Sequence, residues 1–344
     1  MRVNQRYITL FTLLGMALIV LFLVNISLGA VRIPLNEVLQ SILGGEASKT
    51  SWHYIIVNYR LPKAVTAVLA GMGLSVGGLL MQTLFRNPLA GPDVLGLNSG
   101  ASLGVAFVIL ASGMLPAVLA EVFLSPYGIV LASVAGSFIV LLAVLAVAQR
   151  LRDTMAILII GLMFTSFTGA IVGVLTYFST AEQLQKYTFW AMGSLGNLPW
   201  HVVVMLTIVV LIGLTLSVTT LKPLDALLLG ERYARSMGIN FKRTRFTVIL
   251  ATSLLTGCIT AFAGPIAFVG LVVPHIAKLL FKTSSHNVLF WATILIGAVL
   301  MLLCDICTQL PGSSFVLPIN AITSIIGTPI VVALLLSKRK GIFN

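Results

Sequence analysis

The chain has 344 residues, of which 58% are apolar and only 9% charged, with a mean hydropathy of +1.08 and a formal net charge of +12. Soluble domains carry about 25% charged residues, so this composition excludes a soluble protein. Apolar runs of roughly 20 residues, each long enough to cross a ~30 Å hydrocarbon core as a helix, recur along the whole length. The sequence therefore predicts an all-α, polytopic membrane protein with a single domain over residues 1–344, in contact with membrane lipid.

Ten membrane-spanning segments are predicted in chain order. The first apolar run follows Arg2 and Arg6, is long for the core of a secretion signal and ends in only a weak cleavage site, so we interpret it as an uncleaved helix. The predicted spans cover about residues 7–28, 63–85, 94–113, 127–149, 155–177, 201–221, 245–263, 266–281, 290–309 and 321–337.

The distribution of positive charge predicts how these spans are oriented. An even number of spans places both termini on one side of the membrane, together with sixteen of the 21 Lys and Arg residues. Because cytoplasmic segments are enriched in Lys and Arg, both termini are predicted to be cytoplasmic. The net charge therefore reflects topology, and no nucleic-acid partner is expected. The five cations on the opposite side are Arg32, Lys49, Arg60, Lys63 and Lys186.

Two of those outer cations, Arg60 and Lys63, stand where the second span begins. They lie about one helical turn apart on either side of Pro62, which suits the first turn of a helix. Two interpretations remain open. The cations either snorkel to the membrane interface, or form a docking point for an acidic partner outside.

A polar turn follows the second span on the inner side, from Arg86 through Asn87 and Pro88 to Asp93. Two prolines and a glycine within it force a tight, non-helical connection. Asp93 is placed to cap the following helix. This pattern predicts a structural turn and by itself says little about activity.

The longest inner loop, at about residues 222–244, has the pattern of short helices joined by glycines. Asp225 is predicted to cap a short helix, Gly230 to bend the chain and Gly238 to end the next helix. Glu231 and Arg235 are spaced as an i,i+4 ion pair.

The same loop carries an apolar surface although no lipid is expected around it. An apolar patch rimmed by charge is more often a partner site than not, and packing on the inner face of the bundle is the alternative. The apolar residues are Leu228, Leu229, Tyr233, Ala234 and Met237.

Two ionisable residues lie inside apolar stretches of the last third of the chain. His275 belongs to a segment interrupted by helix breakers, among them Gly264, Pro265 and Pro274. A lone His is more often structural than a ligand. Asp305 is either functional, as intramembrane acids usually are, or a hydrogen-bonding group between helices.

The cysteines predict no metal site. All three lie in apolar stretches of the sequence. Cys304 and Cys307 form a C-x-x-C pattern, but without further Cys or His nearby they are interpreted as small residues in a helix.

Motifs along nearly the whole chain occur in an order and spacing typical of one transporter family. They are Arg60-Leu61-Pro62-Lys63, Gln82, Arg86-Asn87-Pro88-Leu89-Ala90, Pro92-Asp93, Leu95-Gly96, Trp190 with Gly193-Ser194-Leu195, Leu229-Gly230 with Ala234 and Gly238, Gly264-Pro265-Ile266 with Phe268-Val269-Gly270-Leu271, Pro274-His275, Asp305, Leu317-Pro318, and Gly327 with Pro329. On these residues the chain resembles the FecCD-type permease subunits of ABC importers for iron chelates and vitamin B12.

The resemblance implies a type II importer: a dimer of ten-helix permeases in the bacterial inner membrane, two cytoplasmic ATPase subunits and an external, periplasmic solute-binding protein. The second permease is a copy of this chain or a paralogue. No cofactor is expected on this chain, since ATP and Mg belong to the ATPase partners. Ferric siderophore is the expected solute, with haem or vitamin B12 as alternatives.

The resemblance also suggests residue roles. Arg60 and Lys63 match positions that dock acidic residues of the binding protein, and Thr154 aligns approximately with a gate residue. Departures occur at Gln309, where the family usually has a third docking cation, and at Val316, where an acid is common. The residues matching the ATPase-coupling helices are Leu229, Gly230, Glu231, Ala234 and Gly238.

Two other classes of function remain to be weighed. The sequence contains no Gly-Lys dipeptide and therefore no Walker A loop, so the chain is not expected to hydrolyse ATP as an enzyme. An ion-coupled secondary transporter would need buried ionisable groups, for which His275 and Asp305 are the clear candidates, and the inner loop would then be unexplained. An intramembrane enzyme would need a convergent nucleophile and base or a metal cluster, which the sequence does not suggest.

Overall fold

The computed structural model describes residues 2–29, 31, 33–45, 48–92, 96–114, 116–150, 154–196, 198–309 and 316–340. Within these residues the regular structure is helical, and the one β feature is an isolated antiparallel bridge between Gln309 and Val316. The predicted all-α fold is confirmed.

Fifteen α-helices follow one another along the described residues. They are α1 (Arg2–Ser27), α2 (Leu35–Ile42), α3 (Thr50–Ile55), α4 (Leu61–Leu84), α5 (Leu97–Leu110), α6 (Ala117–Leu124), α7 (Pro126–Arg150), α8 (Thr154–Tyr177), α9 (Ala181–Met192), α10 (Trp200–Leu228), α11 (Glu231–Ser236), α12 (Phe241–Ala263), α13 (Val269–Phe281), α14 (His286–Thr308) and α15 (Ile319–Lys340). A π-helix (Ile56–Arg60) joins α3 to α4, and a short 3₁₀ helix (Ser112–Met114) follows α5.

Each of the ten predicted spans contains one of these helices. Among the described residues, seven helical stretches are long and apolar enough to cross a membrane: Gln5–Ser27, Thr50–Leu84, Tyr127–Val144, Ile159–Tyr177, Trp200–Leu228, Phe241–Ala263 and His286–Thr308. The other three predicted spans correspond to the shorter apolar helices Leu97–Leu110, Val269–Phe281 and Ile319–Ala333.

The second predicted span is longer than the sequence suggests. α3, the π-helix and α4 form one continuous helix of 35 residues, about 52 Å long at 1.5 Å per residue. Pro62 lies in the first turn of α4 and has no N–H, and the turn just before it is π-helical, with Leu61 N–H bonded to Ile56 O five residues back. Arg60 is the last residue of this π-helical turn.

α4 forms the centre of the bundle. Of its 24 residues 19 are buried, and α10, α12, α13 and α14 pack around it. Close helix approach depends on glycine: a Cβ on Gly71 would lie 2.2 Å from Gly297 O of α14, and one on Gly78 would lie 1.6 Å from Gly270 O of α13. Small residues at such crossings let membrane helices gain van der Waals contact between backbones.

Two ends of this bundle are named by their residues. The Arg86 end contains the C-termini of α4 and α10 and the N-terminus of α14. The Lys63 end contains the N-terminus of α4 and the C-termini of α1 and α14. The residues singled out from the sequence fall mainly at these two ends.

Candidate functional site

The α10–α12 connection, residues 229–240, contains one short helix between two glycines. α11 begins after Gly230, with φ 115° and ψ 148°, and ends before Gly238, with φ 79°. Side chains rarely adopt these left-handed conformations, whereas glycine does so without strain. Within the described part of the chain, a Cβ on either glycine would meet no atom within 4 Å, so conformation rather than space requires them. The predicted bend at Gly230 and helix end at Gly238 are confirmed.

Four apolar side chains in and next to this connection are exposed. Leu229 is 67% exposed, and its apolar neighbours are about half exposed. Ala234 departs from the prediction because it is buried, on the face of α11 that packs back on the adjoining helices. We name the exposed set the apolar patch: Leu228, Leu229, Tyr233 and Met237.

Asp225 does not cap a helix of the loop, as the sequence predicted. It lies inside α10, which continues through Pro223 to Leu228. Its carboxylate caps α14 instead, because Oδ1 accepts the backbone N–H of His286 at 2.8 Å. The side chain of Glu231 lies outside the described residues, and with it the predicted pair of Glu231 and Arg235.

A polar cluster surrounds Asp305 at the Lys63 end. Lys63 Nζ lies 3.0 Å from Asp305 Oδ1, and Asn25 Nδ2 donates to Oδ2 at 2.8 Å. With its amide oriented so that both polar atoms have partners, Gln309 accepts from Lys63 Nζ at 3.0 Å and donates to Leu28 O at 2.9 Å. The side chain of Asp305 is 2% exposed and that of Lys63 18%. The cluster therefore joins α1, α4 and α14, and Asp305 does hydrogen-bond between helices.

Arg60 closes the C-terminal end of α1. Its guanidinium donates to the carbonyls of Ile26 at 2.9 Å and Ser27 at 2.8 Å, and also bonds Val31 O. The last carbonyls of a helix have no partners within it, and a cation there also opposes the negative end of the helix dipole. Arg60 is buried and Lys63 is paired, so docking by these two remains a prediction about side chains that already have partners in the chain.

Arg86 ends α4 in a Schellman motif. Asn87 N–H bonds Gln82 O and Arg86 N–H bonds Thr83 O, both at 3.1 Å, while Arg86 itself adopts φ 47°. Its side chain reaches another helix, since Nη2 donates to Leu227 O of α10 at 2.8 Å.

In the rest of this turn, the predicted tight connection is present, and the predicted helix cap is not described. Asn87 Oδ1 accepts Leu89 N–H at 2.9 Å, an Asx turn that leads the chain through Pro88. Asp93, predicted to cap the next helix, lies outside the described residues.

Gly264 and Pro265 end α12 at a close contact with the segment after α9. Gly264 has φ 74°, and a Cβ there would lie 2.5 Å from Trp190 O. Ser194 N–H bonds Ala263 O at 2.9 Å, so the Trp190 and Gly264 motifs form one packed unit. Proline after the glycine prevents the helix from continuing.

Pro274 lies within α13, next to His275. Proline removes one N–H donor from the helix, and the Gln82 amide of α4 donates to the Leu271 carbonyl at 2.9 Å in the preceding turn. His275 is half-buried and interacts with other residues of the chain.

The profile of the FecCD transport family matches residues 17–337 of this chain. The chain is 34% identical over 325 residues to the vitamin B12 import system permease protein BtuC of Vibrio parahaemolyticus, covering 94% of each. It is 32% identical over 329 residues to the hemin transport system permease protein HmuU of Yersinia pestis, covering 95% of this chain and 96% of that protein. The chain belongs to the FecCD transport family.

The fold of this chain also resembles that of a solved transporter structure. A metal-chelate type ABC transporter in an inward-facing conformation superposes with a TM-score of 0.82 and 26% identity, covering 96% of this chain and 99% of that one. The predicted family, fold class and function are confirmed: this FecCD protein is a multi-pass inner-membrane permease subunit of an ABC importer.

The side chain of the predicted gate residue, like Asp93 and the side chain of Glu231, lies outside what the structure describes. Thr154 begins α8, but its side chain lies outside the described residues, so its role as a gate stays a prediction.

Sequence reasoning missed the group formed by Thr83, Asp225 and His286. Asp225 was noted only as a local cap, and the other two were not singled out. The available signal was the position of His286 at the start of an apolar run, where a buried ring needs a partner.

Proposed function

We propose that this chain forms the pathway for a metal chelate, a ferric siderophore in the first place, with haem and cobalamin as alternatives. The observation that carries the proposal is the full-length match to permeases named for vitamin B12 and hemin, together with a fold shared with a metal-chelate type transporter. In all these solutes an organic ligand holds a metal ion, so the metal is cargo and no resident cofactor is needed.

The Arg86 end is assigned to the cytoplasm and to two separate ATPase subunits. The α10–α12 connection lies there, with an exposed apolar patch beside the exposed Arg232 and Arg235. A patch of this kind, rimmed by charge and outside lipid, suits a groove on a protein partner. Leu229, Gly230, Glu231, Ala234 and Gly238 would belong to that contact, with Ala234 supporting it from the buried face.

The Lys63 end is then assigned to the outside, where a solute-binding protein would dock. Lys63 is the better candidate of the two predicted cations, because part of its side chain remains exposed. Arg60 would support it by holding the end of α1. A second permease subunit, a copy or a paralogue, would complete the pathway, and Thr154 would contribute to the gate.

Reconstitution tests this assignment. The chain, its ATPase subunits and its binding protein are placed in liposomes, and ATP-dependent uptake of a ferric siderophore, haemin and cyanocobalamin is compared. Uptake of one of them only with ATP and the binding protein supports the proposal. Uptake driven by an ion gradient without ATP would instead support a secondary transporter.

A further inference from the structure

The C-terminal end of α10 is fastened to two other helices just before the α10–α12 connection begins. Arg86, at the end of α4, donates to Leu227 O at 2.8 Å. Asp225 Oδ1 accepts the backbone N–H of His286 at 2.8 Å and lies 2.6 Å from the ring Nδ1. Since His286 begins α14, α10 is tied to both α4 and α14.

The same histidine ties α14 to α4. Its Nε2 lies 2.8 Å from Thr83 Oγ1, and the residue is 1% exposed. Because a carboxylate only accepts hydrogen bonds, the Nδ1 proton faces Asp225. The Thr83 hydroxyl lies within hydrogen-bonding distance of both His286 Nε2 and Leu79 O, at 2.8 and 3.0 Å, and its single proton bonds one of them. Buried polar groups with every partner in place hold one geometry, since a lost partner leaves a buried polar atom unpaired. We name this group the three-helix joint: Thr83, Arg86, Asp225, Leu227 and His286.

The backbone of Arg86 supports a special role for its side chain. The C′ position of a Schellman motif is usually glycine, because the left-handed conformation strains other residues. Arg86 adopts φ 47° there all the same. A non-glycine residue in a strained conformation is expected where its side chain has a role. For Arg86 that role would be the hydrogen bond between α4 and α10, rather than the turn itself.

The joint acts on a helix pair that is held at both ends. At the Lys63 end the Asp305 carboxylate pairs with Lys63 across α14 and α4. Between the ends, the two backbones approach at Gly71 and Gly297, where a Cβ would lie 2.2 Å from a carbonyl oxygen. With polar bonds at each end and the two backbones in close contact at Gly71 and Gly297, α4 and α14 cannot slide past each other easily. A displacement at one end is therefore carried to the other.

We propose that the three-helix joint is where motion of the α10–α12 connection is passed to the α4–α14 pair and so to the Lys63 end. Asp225, His286 and Arg86 are positioning residues of transport in this scheme. The inference rests on the proposed function of the α10–α12 connection. Such coupling is reciprocal: an event at the Lys63 end changes the connection by the same free energy.

The first test needs only the full chain in nanodiscs. Hydrogen exchange is followed in wild type, Asp225→Ala and Thr215→Val. Thr215 is the control, since it is exposed on α10 and its hydroxyl donates to Leu211 O of the same helix. Asp225→Ala is expected to raise exchange around Asp225 and also at both helix ends near Lys63, while the control changes neither. An effect confined to the Arg86 end overturns the transmission.

The second test uses the assembled importer in liposomes and measures solute imported per ATP hydrolysed. Asp225→Ala is expected to lower this ratio about tenfold, as for a coupling free energy of ordinary size. Asp225→Asn, which still accepts the His286 N–H, should fall between it and wild type. Arg86→Gly should relieve the turn yet lower the ratio. If these variants instead lose import and hydrolysis in parallel and melt at a lower temperature, the joint only stabilises the fold and does not transmit motion.

The two tests separate the two proposals. If wild-type chain does not associate with ATPase subunits, the proposed function of the connection is wrong, while the exchange experiment still decides whether the joint transmits between the two ends. If association and hydrolysis are normal but the import ratio responds to none of the three variants, only the joint is wrong.

Discussion

Within the described residues, arginines cap the C-terminal ends of other helices at several places, as Arg86 does for α10. Arg60 donates to the last carbonyls of α1, and Arg6 Nη2 donates to Leu280 O near the end of α13 at 3.0 Å. In a membrane bundle water cannot satisfy such carbonyls everywhere, so a long cation from a neighbouring segment replaces it. The predicted outward position of Arg60, unusual for the topology, would therefore have a structural reason that the sequence did not reveal.

The ion pair of Lys63 with Asp305 allows docking and internal structure to be separated. If Lys63 docks the binding protein, Asp305 competes with the partner's carboxylates for it. Asp305→Asn should then strengthen association and Lys63→Gln should weaken it, each by about tenfold at low salt and less at high salt. The measurement is affinity of the binding protein for the nanodisc-held importer at two salt concentrations.

Lys49→Gln is the matched control for this pair of variants. Lys49 carries the same charge near α3, where its Nζ lies 4.8 Å from the centre of the Trp52 ring. Changing both Arg60 and Lys63 to Glu would alter docking and also remove the hydrogen bonds at the end of α1, so the two effects could not be told apart. Single changes at Lys63 avoid this problem. Unchanged affinity in both Lys63→Gln and Asp305→Asn, with only lower stability, would assign the pair to structure alone.

At the scale of elements, hydropathy predicts a helix in each of the ten spans, because each segment must satisfy its own backbone in lipid. Local chemistry also predicts the glycine bends at Gly230 and Gly238. Neither signal reaches contacts between distant segments. Asp225 caps a helix whose first residue is 61 positions away, where the sequence suggested a local cap. Lys63 pairs with Asp305 on another helix, a contact that the sequence did not suggest.

The conformation of Gly230 makes a prediction about the α10–α12 connection. Any side chain there is strained at φ 115°, although space is open, so Gly230→Ala should cost about 1–3 kcal/mol locally and shift α11. Gly44→Ala is the control, with φ 84° and equally open space in the loop after α2. Uptake, at equal amounts of protein in the membrane, should fall with the first change and not with the second.

Gly230→Trp adds bulk beside the apolar patch and should abolish uptake where alanine only lowers it. Normal uptake by both Gly230 variants would mean that the connection does not transmit motion.

Helix crossings in the bundle make a prediction that is independent of function. A Cβ at Gly78 would lie 1.6 Å from Gly270 O, so Gly78→Ala must separate two backbones and should destabilise the chain by about 1–3 kcal/mol or more. Gly15→Ala in α1 meets no described atom within 4 Å, and should be neutral or stabilising by up to about 1 kcal/mol. Melting in detergent compares the two, and equal effects would contradict the close α4–α13 crossing.

At the scale of the whole molecule, burial is distributed unevenly among the helices. In the most apolar window of Thr50–Leu84, 83% of the residues are buried, whereas the share is 11% in that of Ile159–Tyr177 and 0% in that of Gln5–Ser27, where the residues that pack on the core are only partly buried. A single chain therefore leaves large apolar surfaces that lipid or a second permease subunit must cover. The architecture is that of one part of an assembly, with a tightly packed centre and open flanks.

The energy for transport is expected to come from other parts of that assembly. Binding ATP phosphates requires a glycine-rich loop with its lysine and an acid that helps to hold Mg²⁺. The sequence lacks the Gly-Lys pair. Several described acids already have partners: Asp305 pairs with Lys63, Asp225 with His286, and Glu182 with Lys186 at 2.8 Å.

Purified chain in nanodiscs is therefore expected to hydrolyse no ATP above a protein-free control. Hydrolysis should appear when the ATPase subunits are added, and should rise further with the loaded binding protein, because coupling between the two ends works in both directions. The control is the ATPase subunits without this chain, whose basal rate is subtracted. Hydrolysis by the chain alone, surviving purification to homogeneity, would contradict the division of labour that the missing phosphate loop implies. If the assembly hydrolyses ATP at a rate that the binding protein does not change, the proposed coupling between the Lys63 end and the Arg86 end is wrong.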